Sequence, residues 1–159
     1  MAAKDTPSMA KNKIRRSLLA IVDPHPKASD VAQLWVYFDS SCAYCGVSIS
    51  KSSRTGHIDH VVSTAFGGSN SIYNHVLSCA RCNGDEKREE ALESFLARKA
   101  NDPALLAARH SKILCWLDRK PIAPLQTHIQ SQAEAIIRNA IDNFDSAVKE
   151  LRELRKGVS

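Results

Sequence analysis

The chain has 159 residues, enough for one domain or a small domain with helical extensions. With 43% hydrophobic and 25% charged residues it can bury a core without disulfides and is not a wholly disordered chain, and no run approaches the roughly 18 apolar residues of a membrane span. The net charge of +5 is uneven: residues 1–30 hold six Lys or Arg against three Asp, residues 31–90 five against six acidic residues, and residues 91–159 eleven against eight. Basic flanks around a near-neutral centre suit a polyanion held by the arms, or a plain solubility charge.

Residues 1–28 read as a basic N-terminal arm, partly disordered, with Pro7 among small and polar residues. The run Leu18–Val22 after Lys11, Lys13, Arg15 and Arg16 faintly resembles a secretion signal. It is too short, however, and Asp23-Pro24-His25-Pro26 stands where a small-residue cleavage site belongs, so the expectation is a cytoplasmic protein. Ser29 or Asp30 can cap a helix from Val31 to about Asp39, with Leu34, Trp35 and Phe38 on one face.

Two knuckles follow, Cys42-x-x-Cys45 and Cys79-x-x-Cys82. Each can aim two thiolates at one point, and together they complete a tetrahedral four-cysteine zinc site. Such a site has no open position, so its zinc would hold the fold and do no chemistry. Between the knuckles, Ile58, Val61 and Val62 suggest a short strand, Gly67-Gly68-Ser69-Asn70 a turn, and Val76-Leu77 a second strand. From Asn83 the chain turns helical, and Asp85–Lys99 reads as a helix with Leu92, Phe95 and Leu96 apolar.

Asp102 and Pro103 start a helix to about Arg119, in which Cys115 reads as a small core residue. Pro121 and Pro124 break the chain, and a last helix runs from about Leu125 to Lys156. Its apolar Ile137, Ile141, Phe144, Val148 and Leu151 form a heptad-like stripe, which packs on its own domain or pairs two copies as a homodimer. The expected fold class is α+β, a small two-strand-and-helix core stapled by zinc, with flanking helices on both sides. The expected boundaries are 1–28 for the arm, 29–100 for the zinc-stapled domain and 101–159 for a helical C-terminal extension.

The set Cys42-x-x-Cys45-Gly46, Asp59-His60-Val61-Val62, Gly67-Gly68, Asn74, Cys79-x-x-Cys82-Asn83 and Lys87 resembles the HNH nuclease family, also called the ββα-metal fold. More narrowly it resembles the zinc-stapled branch that includes the phage recombination endonuclease VII group. The resemblance covers roughly residues 35–90. It implies a metal-dependent endonuclease that hydrolyses DNA phosphodiester bonds, with His60 as general base, Asp59 and Asn83 holding a Mg2+ or Mn2+ ion, and Asn74 holding the loop near the catalytic His. One carboxylate and one amide oxygen are hard donors that suit such an ion, and an imidazole can accept a proton at neutral pH. Asn83 stands where many members have His, and Ser63 where many have Pro.

His57 shares a strand face with Asp59 and either contacts the phosphate, lines the metal site or is a surface residue, and His75 has no role in the resemblance. Candidate nucleic-acid contacts are Lys87, Arg88, Arg81, Arg54, Lys51, Arg15 and Arg16, Lys87 first because it lies one helical turn beyond Asn83. The alternative is a catalytically inactive zinc-stapled module that binds nucleic acid or a protein. No pattern of base-reading residues is visible, and the setting (phage, mobile element or host defence) stays open.

Overall fold

The computed structural model describes residues 5–53, 55–119 and 127–157. Its main elements are α1 (Pro7–Val22), α2 (Ala28–Tyr37), β1 (Gly56–His60), β2 (His75–Cys79), α3 (Leu92–Lys99), α4 (Pro103–Leu117) and α5 (Thr127–Lys156). A wide helical turn over Arg81–Lys87 joins β2 to α3. The fold is α+β, as expected, with β1 and β2 in one antiparallel pair. No helix among the described residues is long and apolar enough to cross a membrane.

The chain divides into two compact units, Met1–Pro24 with Pro124–Ser159, and His25–Ala123. The central unit is built around the strand pair, whose register sets Gly56 opposite Cys79, Asp59 opposite Val76 and His60 opposite His75. Leu34 and Trp35 of α2 with Phe38 at its C-cap, Val76 and Leu77 of β2, Phe95 and Leu96 of α3, and Ile113 and Trp116 of α4 belong to its core. Sequence spacing explains each face: Leu34, Trp35 and Phe38 fall within one helical turn, as do Ile113 and Trp116. The Trp116 indole N–H donates to the Ile72 carbonyl at 3.2 Å, so the ring is buried with its one polar atom satisfied.

α4 is tied into this unit by polar bonds as well. The Tyr37 hydroxyl donates to the Lys112 carbonyl at 2.8 Å, and Arg109 donates to the carbonyls of Tyr44 at 3.0 Å and Cys45 at 2.8 Å. α4 lies in the same compact unit as the strands, and its Arg109 holds the first knuckle's backbone.

Several expected elements are corrected. The N-terminal arm is helical from Pro7, because the Thr6 hydroxyl accepts from the Met9 N–H and Pro7 sits in the first turn. In α2, Lys27 rather than Ser29 or Asp30 stands at the cap, and the Asp30 carboxylate accepts the Lys27 N–H at 3.2 Å. The single helix expected over Asp85–Lys99 is two pieces, broken at Arg88, whose φ of 47° no helix accommodates. Cys115 is exposed, because it lies on the opposite side of α4 from Ile113 and Trp116. Pro121 and Pro124 lie outside the described residues.

In the other unit, Lys11 of α1 pairs with Asp145 of α5 at 2.9 Å. α1 buries none of its residues, and α5 buries Ala133 and Ile137, while Leu151 and Leu154 near its end stay exposed.

Gly56 opens β1 where a Cβ would lie 2.5 Å from the Trp35 ring and 2.8 Å from Ile49 Cγ2. Gly56→Ala is therefore expected to lower stability by roughly 1–3 kcal/mol in denaturant titration, the usual cost of overpacking a core.

Candidate metal centre and active site

The first knuckle is a tight turn. Cys42 N–H donates to the Val47 carbonyl at 2.9 Å, Gly46 N–H donates to the Cys42 carbonyl at 2.8 Å, and Gly46 itself has φ 75°, a left-handed conformation that favours glycine. The second knuckle spans the end of β2 and the start of the Arg81–Lys87 turn. The two bring the sulfurs of Cys42, Cys45, Cys79 and Cys82 within 4.8 Å of one another, with Cys45 and Cys79 at 3.8 Å.

All four cysteines are free thiols, so the sulfurs are not joined as disulfides. A tetrahedron of Zn–S bonds of about 2.3 Å has edges of about 3.8 Å, so the donor set fits zinc in number, chemistry and spacing. Burial opposes the Cys42 thiolate, yet the backbone N–H groups of Cys45, Cys79 and Tyr44 outweigh it and hold that thiol below its usual range. Burial and neighbouring thiols push Cys45 and Cys82 up. A divalent cation among the four would reverse that crowding by offsetting the negative charge. These four cysteines could hold a zinc ion.

Successive residues of β1 point to opposite sides, and this separates Asp59 from His60. Asp59 is buried, and its Oδ2 accepts from the Tyr44 hydroxyl at 2.6 Å and lies 3.3 Å from the Lys87 ammonium. Burial, then the Asp59 charge, pushes the Tyr44 phenol well up, so Tyr44 remains the donor. The Lys87 ammonium also donates to the His60 carbonyl at 2.8 Å and approaches the Val61 carbonyl at 3.5 Å, so three acceptors meet its three N–H groups. Lys87 is 2% exposed. Its expected role as the leading phosphate contact is therefore corrected: the ammonium points into the protein, because a buried Asp59 draws it there.

On the other side, His60 Nε2 lies 3.0 Å from Asn70 Oδ1. An amide oxygen only accepts, so Nε2 is the donor in this contact. The His60 ring packs on the His75 ring with centroids 4.0 Å apart. His75 Nδ1 lies 2.7 Å from the Ser71 carbonyl, which makes Nδ1–H the donor. Burial, reinforced by His60, pushes the His75 imidazole down to about 4, so it is neutral at pH 7.

Asn74 closes the loop between the strands. Its Oδ1 accepts the Val62 N–H at 3.0 Å, and its Nδ2 donates to the Val62 and Ser69 carbonyls, each at 2.9 Å. Gly68 passes so close that a Cβ there would lie 1.8 Å from the Val62 carbonyl oxygen. Asn83 is half-buried on the turn that also carries Cys82 and Lys87, and His57 is exposed on β1.

The remaining expected contacts scatter. Arg81 is paired with Glu86, which also pairs with Lys99. Arg88 is exposed at the helix break, and Lys51 lies over the Trp35 ring at 5.4 Å. Arg15 and Arg16 are exposed on α1, in the other unit, and Arg54 lies outside the described residues. Sequence reasoning missed Tyr44, Asn70, His75 and Arg109. Tyr44 carried a signal, its place inside the first knuckle, whereas Arg109 lies far away in sequence with none.

One comparison bears on this arrangement. Residues 42–98 match the model of a family described as HNH endonuclease. The matched segment begins at the first knuckle, contains Asp59, His60, Asn74 and Asn83, and ends on α3. A comparison with curated proteins found no match.

The purified protein should carry one zinc per chain. Cys79→Ser is expected to lose the metal by elemental analysis and to lower the melting temperature by roughly 10 °C or more, since site binding and folding are linked.

Proposed function

We propose that this protein is a metal-dependent endonuclease that hydrolyses DNA phosphodiester bonds, with zinc in the four-cysteine cluster as a structural staple. The observation that carries the reading is the geometry of His60: its Nε2 lies 3.0 Å from Asn70 Oδ1, so in this reading Nδ1 is the ring nitrogen that serves the attacking water. In this reading His60 is the general base and accepts the proton of the water that attacks phosphorus. Asn74 is a positioning residue, because its three bonds to Val62 and Ser69 fix the loop beside His60.

Asp59 and Asn83 would hold a Mg2+- or Mn2+-type ion through hard oxygen donors. The fit rests on Asp59: Tyr44 and Lys87 both approach Oδ2, so Oδ1 remains outside those two contacts. When bound, such an ion offsets charge at the phosphate and the leaving 3′ oxygen. Tyr44 and Lys87 keep the carboxylate oriented. Phosphate contacts fall to exposed cations, Arg88 and Lys51 in the central unit and Arg15 and Arg16 on α1.

The two-knuckle frame favours the zinc-stapled branch that resembles the recombination endonuclease VII group. Four unpaired thiols favour a reducing compartment, hence the cytoplasm. One site cuts one strand, so cleavage of both strands of a duplex would use two copies. The α5 stripe, whose last member Leu151 is exposed, is the segment proposed to pair them.

The test is cleavage of supercoiled plasmid, branched DNA and RNA by zinc-loaded protein in Mg2+ or Mn2+, against chelator. The parent is expected to nick DNA only with added metal, and His60→Ala to stay folded and zinc-loaded while losing at least about 100-fold in rate. Full activity in His60→Ala overturns the base assignment. No cleavage of any substrate by the loaded parent favours the binding module instead.

A further inference from the structure

His75 is a buried polar residue that the proposed chemistry does not use. It lies 1% exposed on β2 beside Val76 and Leu77, both fully buried, where an aliphatic side chain would avoid the cost of burying an imidazole. Its Nδ1–H is spent on the Ser71 carbonyl at 2.7 Å, which fixes the ring. The strand register sets His75 directly opposite His60, and the two rings meet at 4.0 Å between centroids with 50° between their planes.

We propose that His75 is a positioning residue for the His60 imidazole: its ring face, locked by the bond to Ser71, stops the His60 ring from rotating. The inference rests on the nuclease reading above and adds to it how the base is aimed.

Two constraints then act on His60. The Asn70 amide oxygen fixes the Nε2 edge but lets the ring rock about that bond, whereas the His75 ring, tilted 50° against it at 4.0 Å, blocks the rocking. Ser71 follows Asn70 directly, and Asn74 in the same loop precedes His75, so loop shape and base orientation are coupled through a few residues. A leucine at position 75 would fill space but leave no flat face and no link to Ser71. A phenylalanine would keep the face and lose the link.

The experiment uses the zinc-loaded full chain, with His75→Leu and His75→Phe as variants. Long-range 1H–15N spectra read the ring nitrogens of His60, and kcat and KM are measured on whichever nucleic acid the parent cuts. The parent is expected to show His60 in the single Nε2–H tautomer. In His75→Leu the His60 signals should broaden or split, with zinc content unchanged, kcat down about tenfold and KM little altered, as displacement of a catalytic group predicts. His75→Phe should restore sharp His60 signals and bring kcat to within about threefold of the parent. Unchanged His60 signals and kcat in His75→Leu overturn the proposal, as does a phenylalanine variant no better than the leucine one. Should the parent cleave nothing, the nuclease reading falls, and the His60 spectra alone decide the positioning role.

Discussion

Four thiols converging within 4.8 Å are the constraint on which the rest of the central unit depends. Without a cation they are a poor arrangement, because burial and mutual repulsion raise two of the thiols. With one they become a cross-link between the loop after α2 and the end of β2. That link also sets the neighbours. Tyr44 lies inside the first knuckle and meets Asp59, while Lys87 lies on the turn that begins at the second and meets the same carboxylate. Arg109 braces the first knuckle from α4 by taking the carbonyls of Tyr44 and Cys45.

β1 then separates two jobs by its pleat alone. One side of the strand carries Asp59 against Tyr44 and Lys87, in a buried charge pair held by further hydrogen bonds. The rupture of such a pair by loss of one partner typically costs about 3–5 kcal/mol, because the other charge is left buried alone. The other side carries His60 against Asn70 and His75. The Lys87 ammonium connects the sides, since it also holds the His60 carbonyl. The proposed metal-binding and proton-accepting groups thus sit on consecutive residues, and neither can shift without the other.

Much of this was legible in the sequence where spacing is short and chemistry is distinctive. The doublets Cys42–Cys45 and Cys79–Cys82 announce a metal site, and Asp59-His60 with Asn74 and Asn83 points to chemistry between them. The strands and α4 follow from apolar runs and from the Asp102-Pro103 start. The failures have physical causes. Lys87 looked like a surface cation because composition says nothing of a buried carboxylate that attracts it. The helix over 85–99 looked continuous because helix propensity is blind to the positive φ at Arg88 that breaks it. Cys115 looked buried because its neighbours Ile113, Leu114, Trp116 and Leu117 are apolar. His75 and Asn70 were opaque since their partner, His60, is met only across the strand pair and its loop.

In the proposed function one frame would hold two metals with separate work, zinc in the knuckles and a hard divalent ion at Asp59 and Asn83. The most direct measurement is Mn2+ titration of the zinc-loaded protein by electron paramagnetic resonance, beside Asp59→Ala. A single weaker Mn2+ site is expected in the parent, lost in Asp59→Ala while the zinc remains bound. Mn2+ binding that survives in Asp59→Ala, or none in a zinc-loaded parent, would contradict it.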